Sequence, residues 1–160
     1  MRFFSNPGTR IEIAELPGRF EAYREYLQSI KEHLSPSAFE FAIAGWHYDY
    51  RDHRCPHDSW VESLTIHEPA SGERLQNRSL SISIRLLGAF HDGHLSLDYA
   101  DVQTYTLENP RTRAGHGDWL VDEIRLSEDG FVLHEVVFSN GSRWLIEAKD
   151  ISYEWRPSAG

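Results

Sequence analysis

The densest run of chemically capable side chains is Trp46-His-Tyr-Asp-Tyr-Arg-Asp-His-Arg-Cys-Pro-His-Asp-Ser-Trp60. His47, His53 and His57, with Asp49 and neighbouring aspartates, are of the types that ligate zinc or another transition metal, and a metal-bound water is the nucleophile of many hydrolases. The spacing argues less for it. His53 and His57 share a face only on a helix, and Pro56 interrupts a helix there. Neither an HExxH nor a paired CxxC motif occurs. Cys55 could be a nucleophile with His53 or His57 as its base, but catalytic pairs usually meet across a fold, not two residues apart. A solvated loop anchored by aromatics is the ordinary alternative, and such loops often carry binding.

Two further sets are weaker. His91-Asp-Gly-His94 would place two imidazoles opposite each other across a two-residue turn, short of a zinc ligand set. Arg125, His134 and Glu147 could form an acid–base row on one sheet face, or an ordinary cross-strand charge ladder. Gly-rich phosphate loops, GxSxG elbows and dinucleotide fingerprints are all missing. Nothing in the sequence points to a particular cofactor, and no metal ligand set is assigned.

The elements that must position these groups are mostly strands. Asp92-Gly93, Asp129-Gly130 and Asn140-Gly141 are hairpin dipeptides, because both residue types enter the φ > 0 region that tight turns require. Between Trp119 and Trp155 they predict a three-strand antiparallel meander. Two-residue loops would pair Ser139 with Ser142, Val137 with Trp144, and His134 with both Glu147 and Arg125. Leu133 and Val137 would then face the core with Ile124, Trp144 and Ile146. A longer loop would shift this register and invert one strand.

Upstream, Phe20, Tyr23, Leu27, Ile30 and Leu34 fall on one face of an amphipathic helix over 18–34. Pro17 suits its first turn, and Ser35-Pro36 ends it. Strands are predicted at 38–48, 60–68, 79–90, 94–107, 118–127, 131–139 and 143–155, with a short one near Thr9–Leu16. The fold class is therefore α+β in one domain over 1–160. An N-terminal amphipathic helix packs on a curved, mainly antiparallel sheet of about seven strands, half-barrel or barrel-like.

The chain of 160 residues carries 25 acidic and 16 basic side chains, a formal net charge of -9. That charge disfavours nucleic acid and anionic membrane and suits a basic protein partner. No apolar run reaches the ~18 residues of a membrane span. The lone Cys55 fits a reducing interior, so the cytoplasm is the expected location. In size, acidity and its hairpin-rich C-terminal half the chain resembles small bacterial proteins, some of them immunity-type; no motif carries site residues across.

Three functions follow as expectations. The first is a non-enzymatic interaction protein with a basic partner, able also to form a homodimer through a sheet edge. The second is a small-ligand binder with a pocket between helix and sheet, rimmed by Trp46, Tyr48, Trp60 and Tyr99. The third is a metal-dependent hydrolase using the 47–58 loop. The candidate site residues are Trp46, His47, Tyr48, Asp49, His53, His57, Trp60, Tyr99, Arg125, His134 and Glu147.

Overall fold

The computed structural model describes residues 1–4, 13–109 and 115–159. Six strands form one antiparallel sheet in the order β1-β4-β5-β8-β7-β6. They are β1 (Trp60–His67), β4 (Ser81–Leu87), β5 (Gly93–Leu107), β6 (Trp119–Leu126), β7 (Val132–Phe138) and β8 (Arg143–Pro157). Between β1 and β4, β2 (Ala70–Ser71) and β3 (Asn77–Arg78) form a small exposed hairpin. Helices α1 (Leu16–Ser29) and α2 (Pro36–Ile43) complete the α+β fold. No helix among the described residues is long and apolar enough to cross a membrane.

The sheet curls but does not close. Trp60 and Asp118 make an isolated antiparallel bridge where β1 and β6 begin. Trp119 N–H donates to Ser59 C=O at 3.0 Å and Asp58 N–H to Trp119 C=O at 2.8 Å. From there the two edge strands diverge. This is the half-barrel form of the expected architecture.

The expected strand at 38–48 is a helix and a turn. Ser35 caps α2 by accepting Ala38 N–H at 3.2 Å, and Pro36 occupies the first turn. Ser-Pro therefore ends one helical segment and starts the next. Ala38, Phe41 and Ala42 are its buried residues, a helical spacing that the alternation of Phe39, Phe41 and Ile43 had masked. The expected helix at 18–34 is α1 followed by a 3-10 turn over Lys31–His33. Of the segment near Thr9–Leu16, residues 9–12 lie outside the described residues, Ile13–Glu15 form a 3-10 turn and Leu16 begins α1.

The meander is present with both of its loops one residue longer than expected. Ser127 N–H bonds Phe131 C=O at 2.9 Å, and Phe138 N–H bonds Ser142 C=O at 2.9 Å. Each three-residue loop ends on a glycine in the left-handed region, Gly130 at φ 85° and Gly141 at φ 86°, the familiar alternative to a two-residue hairpin. His134 consequently pairs with Ile124 and Ile146, not with Arg125 and Glu147. One register step turns β7 over. Val132, His134, Val136 and Phe138 are buried with Ile124, Trp144 and Ile146, whereas Leu133 and Val137 are on the outer face and only half-buried.

The turn at Asp92-Gly93 is also longer, closed by Gly88 N–H to Gly93 C=O at 2.9 Å. His91 sits at its tip and His94 pairs with Leu87, so the two imidazoles do not face each other. Gly93 is required by packing, since a Cβ there would meet the Trp155 ring at 2.3 Å.

Candidate functional site

The inward turn of β7 assembles a buried polar constellation around Asp122 of β6. Asp122 and His134 are diagonal neighbours on the inner face, in the adjacent pairs Asp122–Val136 and Ile124–His134. His134 Nε2 donates to Asp122 Oδ2 at 2.9 Å. His47, in the turn after α2, donates from Nε2 to the same oxygen at 2.8 Å. Trp119 Nε1 donates to Asp122 Oδ1 at 2.9 Å. The Tyr99 hydroxyl of β5 hydrogen-bonds His134 Nδ1 at 2.6 Å. His47, Asp122, His134, Tyr99 and Trp119 are each at most 2% exposed.

The hydrogen bonds assign the protons. His47 Nδ1 lies 2.9 Å from the Phe41 carbonyl, and its Nε2 faces a carboxylate. Both partners only accept, so both ring nitrogens carry hydrogen and His47 is an imidazolium. His134 presents Nε2–H to the carboxylate and Nδ1 to the Tyr99 hydroxyl. The pKa directions agree. Burial pulls His47 down, but the charge and hydrogen bond of Asp122 and the Phe41 carbonyl outweigh it, leaving the net shift upward. Burial pushes Asp122 up, yet the His47 cation and the donated hydrogen bonds hold it well below the carboxylate range. Burial raises the Tyr99 phenol well above its ordinary value, so it keeps its proton.

Carboxylate, imidazole and phenol in this order are the parts of a general acid–base relay. Here every donor has a partner and solvent is excluded, so the arrangement works as a satisfied polar core. Cys55 belongs to the same shell: its Sγ–H donates to His47 C=O at 3.0 Å. Burial pushes the thiol up to about 12, the opposite of an activated nucleophile.

The outer face of the same strands holds a second network. Glu123 and Glu135 face each other directly, and both are buried. Arg125 ion-pairs with both, Arg143 with Glu135, and Arg2 Nε with Glu135 at 3.0 Å. Phe3 and Phe4 N–H donate to Glu123 Oε2 at 2.9 and 2.8 Å. The expected Arg125–His134–Glu147 row is thus divided: Arg125 lies opposite Leu133, His134 faces inward, and Glu147 accepts from Thr104 Oγ1 at 3.1 Å.

The loop histidines diverge instead of converging. His47 points into the core. His53 bonds Asp92 Oδ2 through Nδ1 at 2.5 Å and stacks on Phe90 at 4.1 Å between centroids. His57 donates from Nδ1 to Leu120 C=O at 2.7 Å and stacks on Tyr50 at 4.1 Å. Among the described residues, no group of three or more His, Cys, Asp or Glu side chains could hold a metal ion. Asp49 pairs with Arg51 at 3.0 Å, and Trp46 is buried against Phe41 and Tyr153.

What the loop builds is a surface. Tyr50, Trp60, Phe90 and Leu120 are 54%, 50%, 48% and 43% exposed at one end of the sheet. Trp60 meets the His91 ring edge-on at 4.6 Å and donates from Nε1 to Asp118 Oδ1 at 2.8 Å. Five aspartates (Asp49, Asp52, Asp58, Asp92 and Asp118) stand in these segments against two arginines, Arg51 and Arg54.

A separate open cleft of about 690 Å³ lies between α1 and the α2 turn, lined by Phe20, Tyr23, Leu27 and Tyr48 with Arg24 and Arg51. Of the expected pocket rim, only Tyr48 reaches it; Tyr99 and Trp46 are buried, and Trp60 stands at the loop end.

His47, Tyr48, Tyr99 and His134 are therefore brought together, while Trp46, Asp49, His53, His57, Trp60, Arg125 and Glu147 serve elsewhere. Sequence reasoning missed Asp122 and Trp119, the hub and one of its donors. The available signal was an aspartate on a strand otherwise alternating apolar residues inward. Comparison with protein-family models, curated proteins and solved structures finds no match for this chain.

Proposed function

We propose that this chain is a non-enzymatic interaction protein that docks a basic protein through the loop end of its sheet. The observation that carries this reading is the exposed aromatic group Tyr50, Trp60 and Phe90 set among aspartates. Exposed aromatics rimmed by polar groups are typical anchors of protein interfaces. Aspartates beside tryptophan and tyrosine rings favour arginine and lysine, by ion pairing and by cation–π contact. The net charge of -9 steers such a partner over longer range. The groups best suited to acid–base work are sealed in the core, which favours binding over catalysis. An immunity-type protein, which masks its partner's surface, is the form of this reading that suits the chain's size and acidity. The reading places it in the cytoplasm, where a lone buried thiol stays reduced.

The test compares immobilised protein with the variant Tyr50→Ser/Trp60→Ser/Phe90→Ser, matched in folding by circular dichroism. A specific protein should be retained from lysate at low salt, released by ~0.5 M salt, and lost from the variant. Equal retention by the variant, or retention that ignores salt, would sink the proposal. The cleft beside α1 favours one alternative, a small amphipathic ligand. Its size is within the range of small-molecule sites, and an apolar fluorescent probe displaced by Gly45→Trp, where an added side chain meets open space, would support it.

A further inference from the structure

One edge of the sheet leaves a run of its backbone unpaired among the described residues. β1 is an end strand, and between Ser63 and His67 no backbone group on its outer side finds a partner among the described residues. Unpaired edges invite another strand, and proteins usually blunt them with lysine, proline or an inward-pointing charge. This stretch has none of those. Its neighbour Glu62 is the one acidic residue of β1, and Arg85 and His94 hold it at 3.0 and 3.2 Å. The edge is therefore nearly neutral on a strongly acidic molecule. It is also apolar where it can be: Leu64 is half-buried and Ile66 is 40% exposed.

We propose that β1 pairs with β1 of a second copy, antiparallel about a two-fold axis through Thr65. In that register Leu64 lies opposite the copy's Ile66, and Ile66 opposite the copy's Leu64, so both gain an apolar cross-strand neighbour. Ser63 faces the copy's His67 on the other side of the sheet, and Thr65 faces itself. The same patch serves both copies, as an isologous contact demands. The other edge of the sheet decides that the assembly stops at two. Along β6, tyrosine hydroxyls already occupy the Asp122 carbonyl, both backbone groups of Ile124 and the Leu126 N–H. One open edge and one closed edge give a dimer, where two open edges would give a fibre. The bulge between Val61 and Ser63 limits the pairing to the far half of β1.

Sedimentation equilibrium tests this on the full chain. The mass should approach twice that of the monomer as concentration rises towards ~1 mM. Raising salt from ~0.05 to ~0.5 M should strengthen the dimer by screening the repulsion between two acidic copies, opposite in sign to the effect on a basic partner. Thr65→Lys alone and Thr65→Glu alone should stay monomeric, since each sets like charges face to face. Their equimolar mixture should recover the dimer, which also shows that each variant is folded. A wild type monomeric throughout, a Thr65→Lys dimer, or growth beyond two copies would overturn the proposal. Dimerisation should survive Tyr50→Ser/Trp60→Ser/Phe90→Ser, so this test and that of partner docking fail independently.

Discussion

Along β6, the backbone groups that point away from the sheet meet tyrosines. Tyr48 O–H donates to Asp122 C=O at 2.7 Å, Tyr23 O–H accepts Ile124 N–H at 2.6 Å and donates to Ile124 C=O at 3.0 Å, and Tyr26 accepts Leu126 N–H at 2.9 Å. Along β1, the equivalent groups from Ser63 to His67 meet none of the described residues. Helix α1 thus does two jobs, burying Leu27 in the core and closing a sheet edge with phenols. The closed edge also carries both buried ionic networks, Asp122 inside and Glu123 with Glu135 outside. Buried polar bonding is concentrated at one edge of the sheet, while the far half of the other has outward backbone groups with no partner among the described residues.

The largest test of that contrast is Asp122→Ala. It strands the His47 cation and leaves Trp119 Nε1 and His134 Nε2 without an acceptor. Breaking a buried pair by removing one partner costs roughly 3–5 kcal/mol, to be read from urea unfolding. A loss under ~0.5 kcal/mol, the scale of a surface change, would mean the hub is dispensable. Tyr23→Phe comes next. It leaves the N–H and C=O of Ile124 unpartnered in a buried setting, an expected loss of about 1–3 kcal/mol.

The pH dependence of stability follows in size. His47 holds its proton more tightly folded than unfolded, so its contribution is complete below the ordinary value of 6.5 and is lost as pH rises through the raised folded value. Asp122 has the opposite sign, contributing above 3.8 and losing that contribution as pH falls towards its depressed folded value. The pair is firmest between 3.8 and 6.5. Above that window stability should fall by up to ~1.4 kcal/mol per pH unit for one proton, and His47→Gln should abolish that part of the slope. A slope unchanged in the variant would assign the proton elsewhere. The smallest effect belongs to the open edge: Thr65→Lys should alter monomer stability by no more than ~0.5 kcal/mol.

Much of the fold was legible in the amino-acid order. Leu80, Ile82, Ile84 and Leu86 alternate cleanly, and β4 follows them. The three Asx-Gly pairs mark three real turns. What could not be read was loop length at Gly130 and Gly141. A glycine in the left-handed region suits a two- or a three-residue hairpin, and the choice decides which way His134 points. The 38–48 misreading has a similar root, because a short apolar run fits either period until the Ser35 cap and Pro36 are given weight.

Composition and pattern determined the class: strands between turns, an amphipathic helix, an acidic surface and a single thiol are local properties, set by side-chain polarity and backbone preference. Tertiary structure alone decided that His47 and His134 share one carboxylate, that phenols of α1 close β6, and that β1 stays open. Those outcomes depend on register and on contacts between residues far apart in the chain, where one step along a strand exchanges the inside for the outside.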